Sequence, residues 1–265
     1  MSAPIRVETI TLGDELLLGI RENDHLTYLG SQLAHHGIEP AANLVIRDLA
    51  SDIELFFEAS WNRSDLVITT GGLGPTSDDL TRESIAKALN EELIYDVSIE
   101  SAIRERFSNL GLPMPESNFR QCYRPSSAEV LDNPYGTAPG LFIIKEGKIL
   151  IMLPGPAREM HPMFEKSVIP RLQREGIFPE VDCYLQIRTA GIGESALAEK
   201  VGHLFEGKKG LVVGYCAHAG LVDLRLSSLD GEILSEKELQ IIADDCRNLL
   251  LSLIHISEPT RPNEI

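Results

Sequence analysis

Three short β-rich runs, each ending in a glycine or acidic break and each followed by a helical pattern, constrain this chain more than any other feature. Ile5–Leu12 is rich in β-branched residues and runs into Gly13-Asp14-Glu15-Leu16-Leu17-Leu18-Gly19. Leu26, Leu29 and Leu33 then recur at helical spacing, with Gly37 placed to stop that helix. Asn43–Arg47 reads as a second strand, and Ser51-Asp52-Ile53-Glu54 as a capping box that opens a helix toward Arg63. Asp65–Thr70 is a third strand, broken by Gly71-Gly72-Leu73-Gly74, and helices over Thr81–Leu89 and Val97–Leu110 follow. Alternation at this spacing builds right-handed crossover units around a mostly parallel sheet. The expected fold class is α/β.

Beyond Gly111 the pattern loosens, through Gly111-Leu112-Pro113-Met114-Pro115 and Asn133-Pro134-Tyr135-Gly136-Thr137-Ala138-Pro139-Gly140. Leu141–Ile144 and Lys148–Met152 flank Glu146-Gly147 as the arms of a hairpin. Leu153-Pro154-Gly155-Pro156 leads into a helix expected over Ala157–Glu175, and Gly176-Ile177-Phe178-Pro179 reads as a boundary. Tyr184–Ala190, Gly210–Cys216 and Leu221–Ser227 then read as strands, with helices over Glu194–Phe205 and Ser235–Leu249, a small α+β module of about 70 residues. The expected domains are 1–175 and 180–249. The tail, 250–265, stands apart: Leu251–Arg261 reads LSLIHISEPTR, which matches an in-frame translation of a transposase sequencing adapter, and such a segment is excluded from fold reasoning. The natural chain is accordingly expected to continue past 250.

Charge narrows the partners. Forty acidic residues against 24 basic ones give a formal charge of −16, which repels phosphate backbones and anionic membranes. No apolar run reaches the ~18 residues a bilayer span needs, and Met1–Thr11 lacks a signal-peptide pattern, so no membrane association and a cytoplasmic location are expected. Cys122, Cys183, Cys216 and Cys246 are scattered with no CxxC, which gives neither a disulfide framework nor a zinc site. No GxSxG elbow supports a serine nucleophile. His35, His36, His218 and Trp61 read as surface or packing residues.

The chemistry concentrates in Val67–Thr81. Glycines at the carboxyl end of a buried strand let the backbone approach a ligand, exposed amides there suit an anion, and the next helix adds its positive end. Gly71, Gly72, Gly74 and Thr76 are therefore candidate phosphate contacts, and Asp78 and Asp79 candidate oxygen ligands for a hard cation. A plain tight turn with two acids in the first helical turn would use the same residues. The Thr69-Thr70 and Asp78-Asp79 flanks favour function. Glu15 and Asp48 each follow a predicted strand and fall on the same expected rim, although either alone suits ordinary capping or turn chemistry. Gly136, Thr137, Gly140, Gly155 and Pro156 belong to two more breaks, each by itself a turn; four such breaks converging on one sheet edge would form a ligand crevice.

At these blocks the chain resembles the CinA (competence/damage-inducible protein A) family over about Ile5–Leu249. The carriers are Gly13–Gly19, Thr69–Thr81 (TTGGLGPTSDDLT), Gly136–Gly140 and Leu153–Met160, in that order. The resemblance implies a three-layer molybdopterin-binding-like domain over 1–175, related to molybdenum-cofactor adenylylating and inserting proteins, and a KH-like module over 180–249. It also implies a C-terminal nicotinamide-mononucleotide deamidase domain in longer members, expected to be missing here. The implied activity is hydrolysis of the ADP-ribose pyrophosphate, dependent on a divalent metal (Mg²⁺, Mn²⁺ or Co²⁺) and promoted by K⁺. Carried over residue by residue, Gly71, Gly72 and Gly74 cradle phosphate and Asp78 and Asp79 serve the metal. Asp48 matches a functional aspartate of the cofactor-adenylylating relatives, and Glu159 closes the far side of the pocket. Asn118 and Arg120 join the substrate contacts, although a lysine is usual at 120 and an arginine clamps phosphate with a different geometry. Asp24-His25 stands where many members have Thr-Asn, and Ala157 replaces a second proline. These departures bear on substrate preference.

The leading expectation is thus a metal-dependent ADP-ribose pyrophosphatase, with Glu15 or Asp48 as base, Asp79 in the catalytic set, and Asp48, Asp78 and Asp79 toward the metal. A pterin-cofactor binder or adenylyl-transfer protein would use the same cradle. A non-catalytic assembly module is the third reading. Nucleic acid is not an expected partner: Gly191-Ile192-Gly193-Glu194 carries an acid where KH domains clamp nucleotide backbone, and residues 181–249 hold 11 acidic against 7 basic side chains. The KH-like part is expected instead to serve as a scaffold for a homo-oligomer.

Overall fold

The computed structural model describes residues 5–178, 184–228 and 234–251. Contacts group them into two compact units: Ile5–Gly30 with Pro40–Ile177, and Ser31–Glu39 with Phe178 and the described residues beyond.

The first unit is built on a six-stranded sheet. In chain order its strands are β1 (Val7–Leu12), β2 (Ala42–Ile46), β3 (Leu66–Thr70), β6 (Glu129–Leu131), β7 (Gly140–Lys145) and β8 (Lys148–Leu153), ordered β2-β1-β3-β8-β7-β6. β2, β1, β3 and β8 run parallel, while β7 and β6 add antiparallel edges. β1 and β3 are buried along their whole length, as parallel strands covered on both faces must be. One face, with Ile10, Leu12, Val67, Leu150 and Met152, packs against Ile53, Phe57 and Trp61 of α3 (Ala50–Arg63) and Ile85 of α4 (Thr81–Ala88). On the opposite face, Arg171 lies over the Phe142 ring and Met163 abuts Gly140. These come from α6 (Ala157–Met163) and α7 (Ile169–Arg174). The chain is a mostly parallel, layered α/β fold, as the sequence pattern predicts.

Other elements complete the unit: α1 (Asp14–Leu17), the first part of α2 (Asp24–His35, whose residues from Ser31 group with the second unit), α5 (Val97–Asn109) and a two-stranded ribbon of β4 (Leu93–Tyr95) and β5 (Tyr123–Pro125). The expected hairpin is β7–β8, and its Glu146-Gly147 corner has positive φ at both residues, the conformation a tight hairpin demands. Two local expectations need correction. Ser51 is not an N-cap: α3 begins at Ala50 behind Leu49, without a side-chain cap, and Asp52 pairs with Arg47 at 2.8 Å instead. The helix expected over Ala157–Glu175 is interrupted by a π-turn at Phe164–Val168. Pro162 and Pro170 each lack the N–H that the regular ladder needs, and a widened turn between them absorbs the mismatch.

The second unit carries an antiparallel sheet, ordered β10-β11-β9, of β9 (Tyr184–Ala190), β10 (Leu211–His218) and β11 (Leu221–Ser228). Leu197 and Val201 of α8 (Glu194–Val201) share a core with Ile187, Val222, Leu224 and Leu226 of the sheet. α9 (Glu236–Leu250) adds Leu239, Ile242, Ala243, Cys246 and Leu250. A capping box starts α9: Glu238 N donates to Ser235 Oγ at 3.3 Å and Ser235 N to Glu238 Oε2 at 2.8 Å. The start of the expected module (180–183), Cys183, and the tail from 252 lie outside the described residues. Among the described residues no helix is long and apolar enough to cross a membrane.

Candidate functional site

Parallel strands deliver their carboxyl ends to one edge, and here that edge opens into a cleft of about 660 Å³. β1 ends at Leu12 before Gly13, β2 at Ile46 two residues before Asp48, β3 at Thr70 before Gly71 and β8 at Leu153 before Pro154. Gly71 N donates to Leu153 O at 3.0 Å and Gly13 N to Ile46 O at 3.2 Å, so backbone bonds stitch neighbouring loops together at the rim. Two glycines are required by geometry. Gly71 has φ 98°, and a Cβ there would sit 2.8 Å from Leu12 O. Gly72 has φ 67°, and a Cβ would overlap Thr81 Oγ1, which itself donates to Gly71 O at 2.9 Å. Any side chain would therefore displace the turn, in which the Gly71 amide is held by Leu153 O.

Carboxylates face the glycine turns. Asp48 accepts from Asp14 N at 3.2 Å. Burial pushes its carboxyl above the usual range, and the charges of Asp14, Glu15 and Asp78 push it further, against the hydrogen bond from Asp14. Asp78 goes the other way, held below its ordinary value by hydrogen bonds from Thr76 and its own amide and by the charge of Arg120. Asp79 lines the cleft but commits Oδ2 to closing its own turn, accepting from Thr76 N at 2.9 Å and from the Thr76 hydroxyl. Among the described residues no three His, Cys, Asp or Glu side chains are grouped closely enough to hold a metal ion by themselves. Crowded oxygen donors with one carboxyl pushed toward protonation still suit a hard cation that takes its remaining ligands from water and a phosphate.

Of the residues singled out from sequence, Glu15, Asp48, Gly71, Gly72, Gly74, Asp78, Asp79, Thr137, Gly155, Pro156 and Glu159 line this cleft. Five others sit behind it. Thr76 caps the Asp79 turn. Arg120 clasps that turn from outside, donating to Thr76 O, to Asp79 O at 3.3 Å and to Glu83 Oε1 at 3.2 Å. Asn118 donates to Gln121 Oε1 at 2.8 Å, and Gln121 in turn holds Leu73 O at 3.2 Å. Gly136 packs so closely that a Cβ would overlap Glu159 Oε2, and Gly140 is buried in β7.

Residues to which the sequence assigned no site role also shape the cleft. Asn133 Nδ2 donates to Glu159 Oε2 and to Ala138 O, both at 2.8 Å, while its Oδ1 accepts the amides of Tyr135 and Gly136. It thus folds the Asn133–Gly140 loop around the nearly buried Glu159, and the Asn133-Pro134 turn signal was the clue available. Arg21 and Arg158 are the cleft's two arginines. His25 also lines it, with Nδ1 2.8 Å from Thr70 Oγ1. Burial lowers its pKa, and the charges of Arg21 and His161 lower it further, against a backbone hydrogen bond at Gly155 and the charge of Asp24.

A family model described as "Probable molybdopterin binding domain" matches residues 8–174, and one described as "Damage-inducible protein CinA KH domain" matches residues 186–252. The chain belongs to the CinA family. A relative named as a competence-damage inducible protein from Clostridium botulinum (strain Okra) is 38% identical, over 98% of this chain and 64% of the relative. A CinA-like protein of Kosmotoga olearia is 39% identical, over 95% of this chain and 61% of the relative. The chain therefore spans less than two thirds of the length of these curated CinA relatives. The crystal structure of CinA from Thermoplasma acidophilum, described as of unknown function, shares 31% identity and superposes with a TM-score of 0.58. That match covers 65% of this chain and 98% of the other.

Proposed function

We propose that the cleft hydrolyses the pyrophosphate of ADP-ribose, one water adding across the P–O–P bond to give AMP and ribose 5-phosphate. The observation that carries this reading is one juxtaposition. The Gly71–Gly74 turn, shaped to receive an anion, opens into a cleft lined by Glu15, Glu22, Asp24, Asp48, Asp78, Asp79 and Glu159 against only Arg21 and Arg158. A diphosphate enters such a field only with a cation that neutralises it. Asp48 and Asp78 would hold a divalent ion (Mg²⁺, Mn²⁺ or Co²⁺) together with phosphate oxygens, in the manner of sites that lean on their substrate for ligands. When bound, that ion supplies charge neutralisation and polarises the phosphoryl group. K⁺ would add to the same neutralisation.

The chain's own residues then divide the work. The amides of Gly72 and Gly74 orient the phosphates, that of Gly71 being held by Leu153 O, and Arg158, exposed at the rim, meets the outer one. Asp48, whose carboxyl is pushed above the usual range by burial and its acidic neighbours, accepts the proton of the attacking water, with Glu15 beside it as the alternative base. Asp79 acts by shaping the turn that presents Asp78. In the longer relatives, the segment beyond this chain is where a nicotinamide-mononucleotide deamidase would reside. The KH-like unit would serve as the scaffold for a cytoplasmic homo-oligomer.

A second reading is favoured by the family description itself: the same cradle would bind a pterin cofactor or transfer adenylyl groups without hydrolysing ADP-ribose. AMP release from ADP-ribose, measured with Mg²⁺, Mn²⁺ or Co²⁺ and with or without K⁺, separates the two. Metal-dependent release supports hydrolysis. Saturable pterin binding without release selects the second reading.

A further inference from the structure

Thr81, Arg82 and Glu83 open α4 directly after the Gly71–Leu80 loop, and the hydrolysis proposed above uses neither Arg82 nor Glu83. Thr81 ties down the glycine end of that loop, its N donating to Gly72 O at 3.2 Å and its hydroxyl to Gly71 O at 2.9 Å. Glu83 serves the other end at one remove. Its Oε1 accepts from Arg120 Nη2 at 3.2 Å, and Arg120 in turn donates to Thr76 O and, at 3.3 Å, to Asp79 O, the two ends of the acidic turn. Arg82, almost fully buried, donates to the same Oε1 at 3.2 Å. Among the described residues Glu83 Oε2 is buried without a hydrogen-bond partner, so both cations converge on one oxygen.

Asp78 and Asp79 stand on the very turn that Arg120 grips, and a guanidinium pairs more strongly with a carboxylate than with backbone carbonyls. Asp79 spends Oδ2 on Thr76, whereas Asp78 lines the cleft. A guanidinium that turned to Asp78 would occupy the carboxylate that the proposed cation needs. We propose that Glu83 is a positioning residue: it keeps Arg120 on the carbonyls of Thr76 and Asp79, which fixes the turn that presents Asp78 and leaves that carboxylate to a cation. Arg82, locked in the first turn of α4, holds Glu83 in its place.

Only the kinetic arm of the test rests on the pyrophosphatase reading. In Glu83→Ala the Mn²⁺ concentration that half-saturates AMP release rises about tenfold, while kcat at saturating Mn²⁺ falls less than about threefold. In NMR spectra recorded without metal, the amide signals of Thr76 and Asp79 move alike in Glu83→Ala and in Arg120→Ala, and those of Gly71 and Gly72 stay. The double variant adds little to either single one, because the two residues act as a unit. Glu83→Asp leaves a countercharge beside Arg82 with too short a reach for Arg120, so it moves the same amides where Glu83→Ala does not fold. Amides of Thr76 and Asp79 that ignore the Glu83 substitutions in a folded protein would overturn the proposal. So would additive shifts in the double variant, or a fall in kcat with the half-saturating Mn²⁺ concentration unmoved. Were the wild-type protein inactive on ADP-ribose, the reaction would fall while the amide signals still decided the role of Glu83.

Discussion

Asp48, in the cleft-bearing unit, and Asp223, on the sheet of the KH-like unit, are both carboxylates drawn away from water, and their surroundings push them in opposite directions. Asp223 is almost fully buried, but Arg188 meets it at 2.8 and 2.9 Å, Gln186 at 2.8 Å and His218 at 3.1 Å. The hydrogen bonds and charge of Arg188 outweigh burial and hold its carboxyl below the usual range. Asp48 has one backbone donor and three carboxylates for company, and its carboxyl is pushed up. A carboxylate matched by cations of its own chain has a structural task. One faced by other carboxylates is completed only by something the chain does not supply, and that difference separates the two units more sharply than their folds do.

The contrast is broken most directly at Asp48. Asp48→Asn is expected to lower kcat/KM for ADP-ribose by about a hundredfold or more, by removing the base and a cation ligand together. Thermal stability should hold or rise, because the substitution relieves repulsion; steady-state kinetics and thermal unfolding of the same sample check both.

Glu8 carries the matched arrangement into the first unit. Burial alone would raise its carboxyl, but hydrogen bonds from Arg63 at 2.7 Å and from Arg6 hold it at about 2. Because the folded value lies below the ordinary 4.5, the stabilisation is complete above pH 4.5 and is lost as pH falls toward 2. That loss is on the order of 3 kcal/mol in denaturant titrations across the window. Glu8→Gln should flatten the profile there.

Asp223→Ala is expected to cost about 2 kcal/mol, since it strands Arg188, which is partly exposed and so recovers some solvation. Turnover per folded molecule should not change; a fall in activity beyond the folded fraction would erase the distinction between the two units. The smallest effect concerns neutral caps. Ser235→Ala removes half of a formed capping box and should cost about 1 kcal/mol, whereas Ser51→Ala, inside α3, should be neutral or slightly stabilising.

What could be read from the sequence follows the same division between backbone and side chain. The β-rich runs, their glycine breaks and the Glu146-Gly147 corner are local features, and each predicts its element because backbone geometry answers to nearby residues. That Gly71, Asp48 and Glu159 would meet in one cleft also followed, because parallel strands can only end on one side. Side-chain tasks were less legible. Arg120 has the chemistry of a phosphate clamp, yet long-range packing turns it onto the loop carbonyls. The Ser51–Glu54 spacing suits a capping box, but the helix starts two residues earlier, at Ala50 behind Leu49. His25 and Asn133 act through contacts 45 and 26 residues away, which no local pattern records.

The central claim is that an acidic cleft with a glycine anion cradle performs a cation-dependent cleavage of a diphosphate. The most direct measurement is AMP formed from ADP-ribose by the full chain and by Asp48→Asn, with Mn²⁺ titrated from zero. The account predicts release that rises from background with added metal in the wild type and stays near background in the variant. Equal release by the two proteins, or release indifferent to metal and chelator, would contradict it.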